Sequence, residues 1–87
     1  MYKIESVNKK NIKTADFFVN SIGLDSGCPV KTATPSSFAI TTNREFLLPE
    51  YFYYFILNAY KNKRFYKMGS VIPFITIESF KKDLENV

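Results

Sequence analysis

Four cations fall within one short stretch of this chain: Lys61, Lys63, Arg64 and Lys67. A cluster of that density can set ammonium and guanidinium groups against successive phosphates. Such contacts position a protein on a duplex and make its affinity steeply salt-dependent. The competing reading is that these cations solvate and cap the end of an apolar helix, where the helix dipole favours positive charge. Upstream, Asn43 and Arg44 follow a strand-like run, and their side-chain types can read adenine and guanine edges in the major groove. Thr41 and Thr42 beside them read as part of a polar turn. Gly69 and Ser70 form a pair that can bring backbone close to a phosphate with the Ser70 hydroxyl donating, or can simply end a helix. Lys9, Lys10 and Lys13 make a looser cluster that reads as a solvated loop.

The same composition excludes most catalytic and metal chemistry. The 87 residues include no His, no Trp and one Cys. There is accordingly no Ser-His-Asp triad, no Cys-His dyad and no His-ligated zinc. Cys28 alone makes no intrachain disulfide and no Cys-x-x-Cys site, and nothing beside it in sequence activates its thiol. Ser21, Asp25 and Ser26 lack a base. No catalytic residue, metal ligand or cofactor is assigned, and the chain reads as non-enzymatic. Its net charge of +4 favours anionic partners, nucleic acid before an anionic membrane surface. The acids are scattered singly, which leaves the basic clusters locally unopposed.

No apolar run follows the charge at Met1–Glu5, as a signal peptide would require. The greasiest stretch, Tyr51 to Tyr60, is far shorter than the ~20 apolar residues of a membrane span. The chain reads as soluble and cytoplasmic, with no membrane partner.

Which elements must position the basic residues follows from pattern. At this length the chain is a single domain, and such a domain buries only about 60% of its unfolded surface, so the nine Phe and six Tyr must supply the core. Alternation predicts strands over 2–7, 17–22 and 38–42, with a return strand over 28–34 that Pro29 confines to an edge. Residues 8–13 read as a turn or exposed loop, and Gly23 to Gly27 as a turn. Pro49 and Glu50 open a helix whose Phe52, Phe55, Ile56 and Ala59 share one stripe, with Tyr51, Tyr54 and Asn58 on another. So apolar a helix is expected to be packed on both sides, with Met68-Gly69-Ser70 stopping it. Tyr51, Tyr53, Tyr54 and Tyr60 are assigned to the core rather than to a base-stacking platform. Residues 71–75 read as extended, and Thr76 as the N-cap of a short helix over 77–83. The fold expected is α+β: a small antiparallel sheet packed on one main aromatic-rich helix, plus a short C-terminal helix.

From Ser37 onward the order of signals resembles the C-terminal half of a target recognition domain from the specificity subunit of type I restriction-modification systems. Phe38-Ala39-Ile40-Thr41-Thr42-Asn43 stands where that family has its strand, and Pro49-Glu50-Tyr51-Phe52-Tyr53-Tyr54 where it has its helix. Gly69-Ser70-Val71-Ile72-Pro73 matches its Gly-Ser/Ala-x-x-Pro loop. The resemblance covers about the last three-fifths of the chain. A complete recognition domain is longer, and the spacer helix that docks such a subunit on its methyltransferase is absent after Val87. The expectation is therefore one domain over 1–87, a partial or truncated recognition domain.

The resemblance implies sequence-specific recognition of double-stranded DNA, directing methyltransferase and restriction subunits to a target. S-adenosylmethionine and ATP would be bound by those partners. The DNA-binding residues expected are Lys61, Lys63, Arg64, Lys67, Ser70, Asn43 and Arg44. The alternative is a small protein-interaction module or self-associating homo-oligomer that binds no DNA. Exchanging Lys61→Glu together with Arg64→Glu separates the two: duplex binding in a mobility-shift assay should disappear, with the melting temperature unchanged.

Overall fold

The computed structural model describes residues 2–65, 67–69 and 71–86. Its elements in chain order are β1 (Tyr2–Ser6), α1 (Asn11–Thr14), β2 (Phe17–Val19), β3 (Pro29–Val30), β4 (Phe38–Thr42), α2 (Pro49–Lys61) and α3 (Ile77–Glu85). The strands form one antiparallel sheet in the order β1-β4-β2-β3. This is the α+β architecture expected from the sequence.

Register explains which face is apolar. Ile4 lies opposite Ile40, and Ile40 in turn opposite Phe17, while Phe38 lies opposite Val19. Side chains alternate along each strand, so Ile4, Ile40, Phe38, Phe17 and Val19 share one face. Phe52, Ile56 and Ala59 of α2 and Phe80 and Leu84 of α3 close that face, with Phe65 and Ile75 entering from loops. Phe80 is wholly buried between the rings of Phe65, at 4.8 Å, and Phe38, at 6.2 Å. Burying a side chain of that size contributes about 1.5–3 kcal/mol.

Several elements depart from the sequence expectation. Residues 8–13 hold the start of a short helix, because Asn8 and Asn11 bond reciprocally at 2.8 Å and the Asn11 amide donates to the Ser6 carbonyl at 2.8 Å. β2 stops at Val19 rather than Ile22. Beyond it the chain turns to another partner: the Ser21 carbonyl accepts from the Ile75 N–H, and the Gly23 N–H donates to the Pro73 carbonyl, both at 2.8 Å. β3 is only two residues long and sits on the edge, where Pro29 breaks no inner ladder. α3 starts at a Thr76–Ser79 capping box and runs two residues beyond the expected end.

α2 departs in two respects. It is covered on one face only, leaving Tyr51 and Tyr54 more than 60% exposed, so these two tyrosines do not join the core. It also ends at Lys61, well before Gly69. Gly69 serves a different turn. It has φ +89, and a Cβ there would collide with the Ile72 carbonyl, in the loop closed by the Met68–Phe74 backbone pair.

One polar group ties two neighbouring strands together. The Asp16 carboxylate, just before β2, accepts from the Thr42 N–H at 2.8 Å and the Thr42 hydroxyl at 3.0 Å, and from the Arg44 guanidinium at 2.9 Å. Burial by itself would raise the Asp16 pKa, but the bonds from Thr42 and Arg44 outweigh it and hold the carboxyl below its ordinary value. A depressed folded-state pKa contributes stability above the unfolded value, near 4, and loses it as pH falls through the folded value. In acid titrations of the melting temperature, Asp16→Asn should therefore lower stability at neutral pH. It should also show a shallower fall below about pH 4 than the wild type.

Candidate nucleic-acid interface

The end of α2 is built as a Schellman motif. The Arg64 N–H donates to the Ala59 carbonyl and the Lys63 N–H to the Tyr60 carbonyl, each at 3.0 Å, around the C-cap Asn62. That motif needs a left-handed residue just after the cap, a place usually held by glycine. Here it is Lys63, at φ +56, the one non-glycine with positive φ among the described residues. Holding a side chain in that region instead of glycine costs about 1 kcal/mol.

Past the motif, Phe65 dives into the core. Its ring packs on Phe80, and the Gly23–Gly27 turn lies against it so closely that a Cβ on Gly27 would sit 2.8 Å from Cδ2. Anchoring Phe65 leaves Lys63 and Lys67 on either side of a depression of about 360 Å³, lined by Ser26, Tyr60, Lys63, Phe65 and Lys67. The Lys67 ammonium donates to the Leu24 carbonyl at 2.5 Å and stands 5.6 Å from the centre of the Tyr60 ring. Lys61, Lys63, Arg64 and Lys67 are all exposed, and among the described residues none of them forms an ion pair.

Burial, with smaller contributions from Cys28 and Asp25, raises the Tyr60 pKa, so its hydroxyl stays neutral and able to donate. Burial also raises the Cys28 pKa, assisted by Asp25 and opposed by Lys61, so the thiol is not activated. Asp25, whose charge reaches both Tyr60 and Cys28, accepts from the Asn20 amide at 2.8 Å. The arrangement suits a polyanion: exposed cations at the rim and a neutral phenol beside them, while the buried Ser26 hydroxyl already donates to the Gly23 carbonyl at 2.6 Å.

Of the residues named from sequence, Lys61, Lys63, Arg64 and Lys67 gather at this end of α2, although only Lys61 is helical. Asn43 and Arg44 precede the other end of the helix, roughly 18 Å away along its axis. There Arg44 is held by Asp16, and the Asn43 side chain accepts from the Glu45 N–H at 3.2 Å. A second depression, of about 250 Å³ and lined by Asp16, Phe17, Lys31, Pro49, Glu50, Tyr53 and Tyr54, adjoins that end. Its mixed charge makes it a poorer match for phosphate. Ser70 lies outside the described residues. Sequence reasoning missed Ser26 and Tyr60 as neighbours of the cations, since tertiary contacts, Gly27 with Phe65 and Leu24 with Lys67, bring the turn to the helix end.

A model of the family of unknown function DUF6943 matches residues 4–87. The chain belongs to that family. No curated protein and no solved structure matches it. No helix among the described residues is long and apolar enough to cross a membrane.

The left-handed lysine gives a direct stability test. Lys63→Gly should raise the unfolding free energy by about 0.5–1 kcal/mol, measured by urea denaturation, because glycine adopts this conformation without a Cβ penalty.

Proposed function

We propose that this chain recognises double-stranded DNA through the basic end of α2. On this reading it acts in the cytoplasm without catalysing a reaction. As its resemblance to the specificity subunit of type I restriction-modification systems implies, it would direct methyltransferase and restriction subunits to their target. The observation that carries the reading is Lys63. A lysine occupies a left-handed position where glycine would be more stable, and it faces Lys67 across a depression that also holds Tyr60. Local strain kept beside a cluster of cations is what a phosphate-contacting group would require. Lys61 and Arg64 extend the same rim. Arg44, engaged by Asp16, takes no part in this face and serves the fold.

A second reading, a protein-interaction module, is favoured by a different observation. Ile22, Leu24, Val71 and Ile72 are each more than half exposed, on two loops that Gly23–Pro73 and Ser21–Ile75 hydrogen bonds hold together.

Binding of a labelled random-sequence duplex across a salt series distinguishes the two. If the basic end meets phosphates, log affinity should fall linearly with log salt at about 0.9 per contact, giving a slope near −3 to −4 for four cations. Lys63→Gly should reduce that slope by about 0.9 while leaving the fold more stable. An absence of binding at low salt would remove the DNA reading and leave the interaction module.

A further inference from the structure

The sheet ends on β1, and the geometry of that edge is self-complementary. Ile40 accepts from the Asp16 N–H and Thr42 donates to the Asp16 carboxylate, so both turn their backbone groups toward β2. Ala39 and Thr41, which alternate with them, therefore bond to their β1 partners Glu5 and Lys3. It follows that Tyr2, Ile4 and Ser6 direct their N–H and C=O groups away from the sheet. The Ser6 carbonyl accordingly accepts from the Asn11 side chain. No turn, loop or side chain among the described residues bonds the backbone of Ile4. The opposite edge, β3, is two residues long and begins with a proline, so it offers far less.

We propose that β1 pairs with β1 of a second copy of this chain, antiparallel, with Ile4 opposite Ile4. The two Ile4 residues then exchange both backbone bonds, and Tyr2 of each copy comes opposite Ser6 of the other, whose carbonyl already accepts from Asn11. The two four-stranded sheets become one eight-stranded sheet with both core faces on the same side.

Charge selects this register. Lys3 and Glu5 flank Ile4 on the sheet's outer face, with side chains 70% and 47% exposed and only 3.8 Å between their charged atoms. With Ile4 at the centre, Lys3 of each copy stands opposite Glu5 of the other, in the close non-hydrogen-bonded type of pair. Sliding the register by two residues either way sets Lys3 against Lys3 or Glu5 against Glu5. An edge guarded only against aggregation would carry charges that repel their own copy. This one carries charges that attract it in a single alignment. The pairing is independent of the DNA reading, because none of its residues belongs to the basic end of α2.

Sedimentation equilibrium of the purified chain tests this. The wild type should dimerise in the micromolar to roughly millimolar range expected of a small interface. Lys3→Glu alone and Glu5→Lys alone should each weaken the dimer about tenfold or more, since both cross-strand pairs become like-charged. The double exchange Lys3→Glu with Glu5→Lys should restore it, and an equimolar mixture of the two single variants should form a heterodimer. The exposed positions make folding defects easy to detect by circular dichroism, and amide exchange at Ile4 should slow as concentration rises. A monomeric wild type at millimolar concentration, or single variants that dimerise as well as the wild type, would overturn the proposal.

Discussion

With the Phe65 ring buried between Phe80 and the Gly23–Gly27 turn, three segments far apart in sequence are held to one point. The turn after β2, the chain leaving α2 and the face of α3 all depend on that contact. A chain this short has little surface to bury, so a single aromatic ring placed at such a junction carries a large share of the packing. The same ring makes the basic segment a surface. Lys63 and Lys67 flank Phe65, and fixing it fixes where their stems leave the core. The proposed interface is thus a by-product of core packing as much as of charge.

Polar groups follow a comparable logic. Among the described residues no buried side-chain nitrogen or oxygen lacks a partner. Asp16 is the clearest case, because an unpaired carboxylate there would cost far more than the bonds from Thr42 and Arg44 contribute. Its bonds also set the guanidinium of Arg44, expected from sequence among the DNA-reading residues, against a carboxylate. Among the described residues the cations at the far end of α2 have no carboxylate partner, and Lys67 is engaged by the Leu24 carbonyl instead.

The open face of α2 and the open edge of β1 have a shared cause. One sheet face takes both longer helices, and among the described residues no further layer covers the Tyr51–Tyr54 side of α2. Among the described residues nothing pairs with β1 beyond β4. Exposed aromatics on a helix need no partner when a polar hydroxyl reaches water, as tyrosine's does. An unpaired strand edge is different, because its N–H and C=O groups form a template for another strand. The opposite charges of Lys3 and Glu5 decide which strand that template accepts.

Local pattern was enough to determine the class of the fold, the strands at 2–6 and 38–42, and both longer helices. Alternation, Pro49 at a helix start and the Thr76–Ser79 cap are short-range signals that packing did not override. The density of cations between Lys61 and Lys67 was likewise legible. What the sequence could not supply was where α2 stops, since Lys63 in a left-handed conformation contradicts the propensity of lysine and is sustained only by the surrounding Schellman bonds and the anchored Phe65. Nor could it separate Arg44 from the other cations, because the Asp16 partner lies 28 residues away. The outward-facing groups of Ile4 were equally hidden: which backbone atoms face an edge depends on the pairing of β4 with β2, a fact of tertiary structure alone.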